Sequence, residues 1–262
     1  MPLTQRMRAA AKASLVHFFG SVLVATLAAV LVFLVWYPHP YVLLSGGLSL
    51  FLILVSVDVT CGPLLTLVLF NPGKPRRELF TDMTLVLLIQ LTALIYGLYM
   101  VYQARPLFLV HEVDRFRVIS LPDYNGDDVS QSLAALDPAI KPHWLSGPVT
   151  VGIRDPNSPQ ERQDVMLDAV FGGRDYSQRP EFYVPYDAAY QPKVMARAKP
   201  LKAFTERFPT TKNDALELLR ARGLDAGDAL FLPMLHKQEW VAVLDKSAYI
   251  VGFLPGDGFA VP

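Results

Sequence analysis

The chain has 262 residues, with 24 Lys plus Arg against 24 Asp plus Glu, and a formal net charge of +0 leaves no basis in bulk charge for a polyanion-binding surface or an acidic tail. Its single cysteine, Cys61, excludes an intrachain disulfide, so any folded domain must be held by its own core. A hydrophobic fraction of 52% and a mean hydropathy of +0.30 average over two unlike parts, a strongly apolar first part and a proline-rich, mixed-charge second part.

Residues 13–37 contain His17 as their only ionisable side chain and are long enough to cross a hydrocarbon core of about 30 Å at about 1.5 Å per residue. A secretory signal has an apolar core of only about 7 to 15 residues and a small-residue cleavage site, so an uncleaved first transmembrane helix is expected. The WYPHP that closes the segment agrees with an anchor. A second span, 41–70, follows Pro38 and Pro40 and carries one charge, Asp58. The third span, 82–103, is free of charge from Met83 to Tyr102.

Arg6, Arg8 and Lys12 precede the first span, and Lys74, Arg76 and Arg77 lie in the loop 71–81, while the connection between the first two spans has no Lys or Arg. The positive-inside rule places 1–12 and 71–81 in the cytoplasm and therefore 104–262 outside it. Trp36, Tyr37 and Tyr41, with Tyr99 and Tyr102, would form the aromatic belt at that outer boundary.

An ionised carboxylate inside a bilayer costs a few kcal/mol even on insertion scales, so Asp58 should face protein. Helical spacing puts Asp58, Cys61, Gly62 and Thr66 on one small, polar stripe of the second span and Gln90, Ala93 and Gly97 on another of the third. Ser21, Ala25 and Ala29 repeat every fourth residue on the first. Depth counted from the basic loop sets Asp58 level with Thr92 to Tyr96, within reach of either hydroxyl. Pro63 removes a backbone bond near Val59 and so invites a kink beside Asp58. Asp58 is read either as a protonated or hydrogen-bonded carboxyl that fixes helix register or as a group for partner recognition or proton handling.

After Arg105 and Pro106 the composition changes, and about 155 residues remain, enough for one compact domain. The pattern predicts a strand or bent pair of strands over 108–119, a short helix over 127–136 and a strand over 148–154. Ser158-Pro159-Gln160-Glu161 is an N-cap with proline at the first helical position and a capping-box glutamate, and Gly172-Gly173 ends that helix. A helix over 213–222, stopped by Gly223, buries Leu216, Leu218 and Leu219. Apolar runs at 229–235, 240–244 and 249–254 read as a three-stranded meander. The expected domain is α+β and extracytoplasmic, with its sheet order undetermined.

No phosphate loop, HExxH, CxxC or GxSxG is present, and neither enzyme nor cofactor is expected. On a strand Glu112 and Asp114 share one face and His111 takes the other, which favours a solvated strand over a metal site. Arg115 and Arg117, beside Asp114, suggest cross-strand ion pairs. His143 and His236 are isolated and suit surface or core roles. The basic run Lys193, Arg197, Lys199 and Lys202, broken by Pro192 and Pro200, reads as a solvated face, with membrane-surface contact a lesser option.

VDVTCGPLLTLVLFNPGKPRREL at 57–79, LIQLTALIYGLYMVYQARP at 88–106 and VDRF at 113–116 resemble the TfpX/TfpZ family of type IV pilin accessory proteins of Gram-negative bacteria. The resemblance covers about the first 120 residues; the rest is similar only in length and position. Asp58, Gly62, Pro63, Asn71, Pro72, Asp82, Gln90, Tyr96, Gly97, Arg105, Pro106, Asp114, Arg115 and Phe116 match its pattern, and Cys61 departs from it. The resemblance implies an inner-membrane protein that assists pilus biogenesis, with a cognate type IV pilin and other assembly components as the expected partners, and it implies no enzyme. Two other classes stay open: a membrane-anchored periplasmic enzyme with a pocket near His111, Asp114 or 183–190, and an oligomeric transporter or proton relay through Asp58.

Overall fold

The computed structural model describes residues 3–124 and 128–262. The chain divides into two compact units, Met1–His39 with Gly46–Ala104, and Pro40–Ser45 with Arg105–Pro262.

The first unit is built on three apolar helices. Leu3–Leu31 continues through a wider turn, Val32–Trp36, and is followed by Gly47–Leu69 and Arg76–Gln103. The shortest of the three has 23 residues, roughly 34 Å at 1.5 Å per residue, so each is long and apolar enough to cross a membrane. Leu23, Leu27, Ile53, Leu88 and Ile95 are exposed on the bundle, as lipid-facing side chains must be. At one end the Tyr37 hydroxyl donates to the Val101 carbonyl at 3.0 Å and the Trp36 and Tyr102 rings meet at 5.1 Å. These contacts set the first and third helices level there. Tyr41 does not join this group: it opens a single helical turn, Tyr41–Leu44, that belongs to the second unit.

That second unit is a mixed sheet of eight strands: β1 (Pro106–Glu112), β2 (Arg115–Ser120), β3 (Val149–Ile153), β4 (Tyr183–Pro185), β5 (Lys199–Pro200), β6 (Leu230–Leu235), β7 (Trp240–Leu244) and β8 (Ile250–Pro255). Their order is β4-β3-β1-β2-β6-β7-β8, with β5 paired to β6. The hairpin of β1 and β2 and the meander of β6, β7 and β8 are antiparallel, as consecutive strands with short turns should be, whereas β1 pairs β3 and β2 pairs β6 in parallel. Alternation along the strands feeds two faces. Leu109, Phe116, Leu232, Trp240 and Ala242 pack with Tyr41, Leu44, Tyr190 and Val194. Phe231, Val241 and Val243 pack with Phe204, Ala215 and Leu219 of the helices Leu201–Arg207 and Lys212–Ala221. Leu218 packs against that second cluster from a half-buried position, and Leu216 is half-buried.

Local signals behave as their chemistry dictates. Ser158 caps the helix Pro159–Val170, its hydroxyl accepting from Glu161 N at 3.1 Å. The reciprocal half of the box is redirected: Glu161 accepts from Asn157 N at 2.5 Å and binds Arg154 through both oxygens, at 2.8 and 3.1 Å. The Arg154 guanidinium holds the Glu161 carboxyl at about 2, below the usual range. The short helix expected over 127–136 runs Val129–Ala134, and position 127, like positions 1 and 2 of the N-terminal segment, lies outside the described residues.

His111 departs from expectation. It does not sit on a solvated strand, because β1 lies between β3 and β2 and is covered on both faces; His111 is 2% exposed. Asp114 falls in the hairpin turn, where Arg115 Nε donates to it at 2.8 Å. Arg117 makes no cross-strand pair, since its register partner is Val110; it reaches Asp175 at 2.6 Å instead. His143 is exposed and accepts from Leu145 N at 3.2 Å, while His236 is half-buried. The basic run is split among elements: Lys193 pairs with Asp155 at 2.8 Å, and Lys199 donates to the Val261 carbonyl at 2.5 Å.

Burial pushes the His111 imidazole down to about 4, against the pull of Asp114 and with the push of Lys193. The unfolded imidazole gains its proton near 6.5 and the folded one only near 4, so stability is lost as pH falls across that window and is unaffected above it. Burial shifts His236 in the same direction. The loss assigned to His111 is about 3 kcal/mol once the window is crossed. Chemical denaturation of the full chain in detergent between pH 7 and 4 should give a steeper decline for wild type than for His111→Phe. Equal slopes would refute the assignment.

Candidate functional site

Seven positions on the first helix, Ala10, Ser14, His17, Ser21, Ala25, Ala28 and Val32, recur at intervals of three and four and face its neighbours, every one buried or half-buried. Small side chains let backbones approach, and the hydroxyls and imidazole supply hydrogen bonds where water is absent. Ser14 Oγ donates to the Pro63 carbonyl at 2.8 Å, and His17 Nδ1 meets Thr66 Oγ1 at 2.6 Å. Near the same end Arg6 donates to the Val68 carbonyl at 3.3 Å. Gly47–Leu69 stays helical through Pro63, although that residue has no N–H for the Val59 carbonyl. The buried repeat uses Ala28 where Ala29 was expected, because turns of 3.6 residues alternate steps of three and four.

Gln90 joins all three helices. Its Nε2 donates to Ser21 Oγ at 2.9 Å and to the Asp58 carbonyl at 3.0 Å. A backbone carbonyl can only accept, so the NH2 side of the amide must face Asp58 and the side chain's orientation is fixed. Gly62 is the residue that admits it: a Cβ there would overlap the Gln90 amide. Farther along, a Cβ on Gly97 would overlap Leu54. Thr92 and Tyr96, the expected neighbours of Asp58, point elsewhere, being about 200° and 240° around the helix from Gln90; both are exposed, Tyr96 at 65%.

With both amide protons committed, two side-chain oxygens, Asp58 Oδ1 and Gln90 Oε1, have no hydrogen-bond partner among the described residues. Asp58 is 6% exposed. Both residues line a groove of about 280 Å³ between the second and third helices, walled by Leu54, Val57, Leu65, Val86 and Ile89. Cys61 and Ala93 border the groove and are exposed, so they flank an opening and not a helix contact. The arrangement is an apolar trough with two unpaired side-chain oxygens in its lining.

The remaining sequence candidates lie apart from it. Asn71 Oδ1 accepts from Gly73 N at 3.1 Å in the turn that holds Pro72, and Lys74 closes on Asp82 at 2.5 Å. Arg105 is buried, Pro106 begins β1, Asp114 and Arg115 pair in the hairpin, and Phe116 is fully buried in the sheet core. Ser14, His17 and Ser21 were not singled out as hydrogen-bonding residues, yet polar side chains at that spacing inside an apolar span are a readable signal. Among the described residues no group of three or more His, Cys, Asp or Glu is placed to hold a metal ion.

A family model described as fimbrial assembly protein FimB matches residues 5–46. The fimbrial assembly protein of serogroup I from Dichelobacter nodosus is 37% identical over 258 residues, covering 97% of this chain and 98% of its own length. The serogroup E1 protein of the same organism is 36% identical over 258 residues with the same coverage. A shorter relative, for serogroups C1 and C2, is 46% identical over 128 residues, 49% of this chain and 98% of its own. No solved structure matches.

Gln90→Leu removes both interhelical bonds and should destabilise the bundle by about 1 kcal/mol, near the mean for such bonds in membranes. Gly62→Val should cost more, because the Gln90 side chain has to leave its pocket. Thermal unfolding in detergent measures both, and the expected order is wild type, then Gln90→Leu, then Gly62→Val.

Proposed function

The chain belongs to the family of fimbrial assembly proteins, and from that membership we propose that it is an inner-membrane accessory protein of type IV pilus biogenesis that handles a cognate pilin and modulates pilus assembly or display. The finer placement beside type IV pilin accessory proteins of the TfpX/TfpZ kind rests on the motifs at 57–79 and 88–106. The observation that carries the reading is the pair of unpartnered acceptors, Asp58 Oδ1 and Gln90 Oε1, on a groove open along one side of the helices. A single apolar helix with one hydroxyl, amide or protonated carboxyl at that depth would fill the trough and donate to them. Hydrogen bonds of this kind are worth about 0.6 to 1.7 kcal/mol each in a membrane, so apolar packing has to supply the rest of the affinity.

The orientation belongs to the same reading. Arg6, Arg8 and Lys12, with Lys74, Arg76 and Arg77, set one end of the bundle in the cytoplasm and leave the sheet domain in the periplasm. The turn Tyr41–Leu44 supports the consistency of this topology, since it packs in the core of that domain and must share its side of the membrane. The role is one of binding, without catalysis, and the partner is the pilin subunit before assembly.

Asp58→Leu should lower surface pili and pilin co-purification while protein level is maintained, with affinity reduced about tenfold at most. Asp58→Asn keeps the hydrogen-bonding oxygen and should retain most of both. Pili and co-purification unchanged in Asp58→Leu would refute the groove as the pilin site.

A further inference from the structure

The sheet domain carries a second cleft, of about 540 Å³, at the carboxyl ends of the parallel strands β1 and β3, the position where α/β sheets commonly hold ligands. Most of its charged lining is already committed. Arg154 is forked onto Glu161, Lys193 is paired with Asp155, and Glu112 accepts from Ser177 N at 3.1 Å. Arg162 and Arg197 make no ion pair among the described residues and are exposed at the cleft.

His111 forms part of the lining and has an unpartnered Nε2. Its state follows from Tyr190, whose hydroxyl accepts from Ile153 N at 2.9 Å and has its own proton to place. The choices are His111 Nδ1 at 3.0 Å and the His111 carbonyl at 3.5 Å, of which the shorter is the stronger. When Tyr190 donates to Nδ1, that nitrogen is the acceptor and Nε2 carries the hydrogen. In that tautomer the cleft has an unpartnered donor in its lining beside two uncommitted guanidiniums, a set that suits an acceptor-bearing anion.

One lip is strained. Val113 bridges β1 and β2 at φ +58, with Asp114 N donating to Glu112 O at 2.8 Å across it, the rare three-residue turn of positive φ. A β-branched residue there costs on the order of 1 to 3 kcal/mol, and Val113 is 66% exposed, so its side chain recovers nothing by burial. Its exposed isopropyl group, with Ile153, Pro156 and Tyr176, gives the cleft apolar walls.

We propose that this cleft binds an acidic peptide segment of a partner protein, with carboxylates on Arg162 and Arg197 and a further acceptor on His111 Nε2–H. Arginine pairs suit planar carboxylates, and recognition of acidic segments by clustered arginines is a recurrent mode. The apolar walls and the size favour a peptide over a bare anion. This site is separate from the groove in the helices and does not rest on the pilin reading.

The test is fluorescence anisotropy of labelled hexaglutamate with the full chain in uncharged detergent. Saturable binding is expected, weakened about tenfold by Arg162→Gln with Arg197→Gln and unchanged by Lys202→Gln, which lies outside the cleft. Bound peptide should also shift the His111 imidazole nitrogen resonances. No saturable binding, an equal effect of Lys202→Gln, or full competition by equimolar inorganic phosphate would each overturn the proposal, and an unmoved His111 resonance would remove that residue from it. None of these results bears on the Asp58 variants, whose readout is pili.

Discussion

In hydrocarbon an amide N–H has no water to turn to, and the three-helix unit is organised around satisfying one such group. Gln90 places both of its protons, one on Ser21 of the first helix and one on the Asp58 backbone of the second. That requirement sets the depth of each helix against the others. It also explains why Gly62 lies opposite, since any side chain there would displace the amide. Ser14 on Pro63 and His17 on Thr66 repeat the device one to two turns away, so the bundle is pinned at two levels by hydrogen bonds, with the small residues Ala10, Ala25 and Ala28 packed on either side of them. The consequence for function is indirect but strict. Both amide protons are spent inside the bundle, and two side-chain oxygens are left over for anything that docks.

How far the sequence discloses this depends on how local each signal is. Three spans and an α+β domain are legible because length, apolarity and strand-turn alternation are properties of contiguous residues. Ser158 is legible as a cap for the same reason: its partner is three residues away. Asp58 announces itself by rarity, but its partner does not. A depth count from the basic loop points to Thr92 or Tyr96, and a shift of a few residues in that count moves the contact to a different face of the helix. Tyr41 shows a different failure. An aromatic beside prolines at a span's end reads as a membrane belt, while the folded chain uses it as core for a sheet whose first strand begins at Pro106.

Sheet order is the least legible part, because the parallel pairings of β1 with β3 and β2 with β6 join segments separated by long stretches of chain. His111 follows from this. Alternation tells that it faces away from Glu112, yet only the flanking of β1 by β2 and β3 tells that both faces are covered. The same pairing creates the cleft, since it brings the ends of β1 and β3 together and sets Arg162, from the helix Pro159–Val170, and Arg197, from the turn after the helix Gln191–Met195, beside Tyr176 and Val113. Arg197 stands out in the sequence only within a basic run that reads as a solvated face, and Arg162 and Tyr176 do not stand out at all.

The two candidate sites have opposite chemical deficits. The groove offers acceptors in an apolar medium, where a partner lacking a donor would leave both oxygens buried and unpaired at a cost of about 1 to 3 kcal/mol. The cleft offers donors in water, where long-range attraction is screened within roughly 8 to 10 Å and an exposed arginine gains little unless the geometry is forked. On the proposed docking of a helix, discrimination at the groove would come chiefly from rejecting the wrong helix, by leaving polar atoms unsatisfied. At the cleft it comes from matching carboxylate geometry. A protein that must distinguish one membrane helix from many others of similar length and apolarity needs the first kind of selectivity, because apolar packing alone separates such helices weakly.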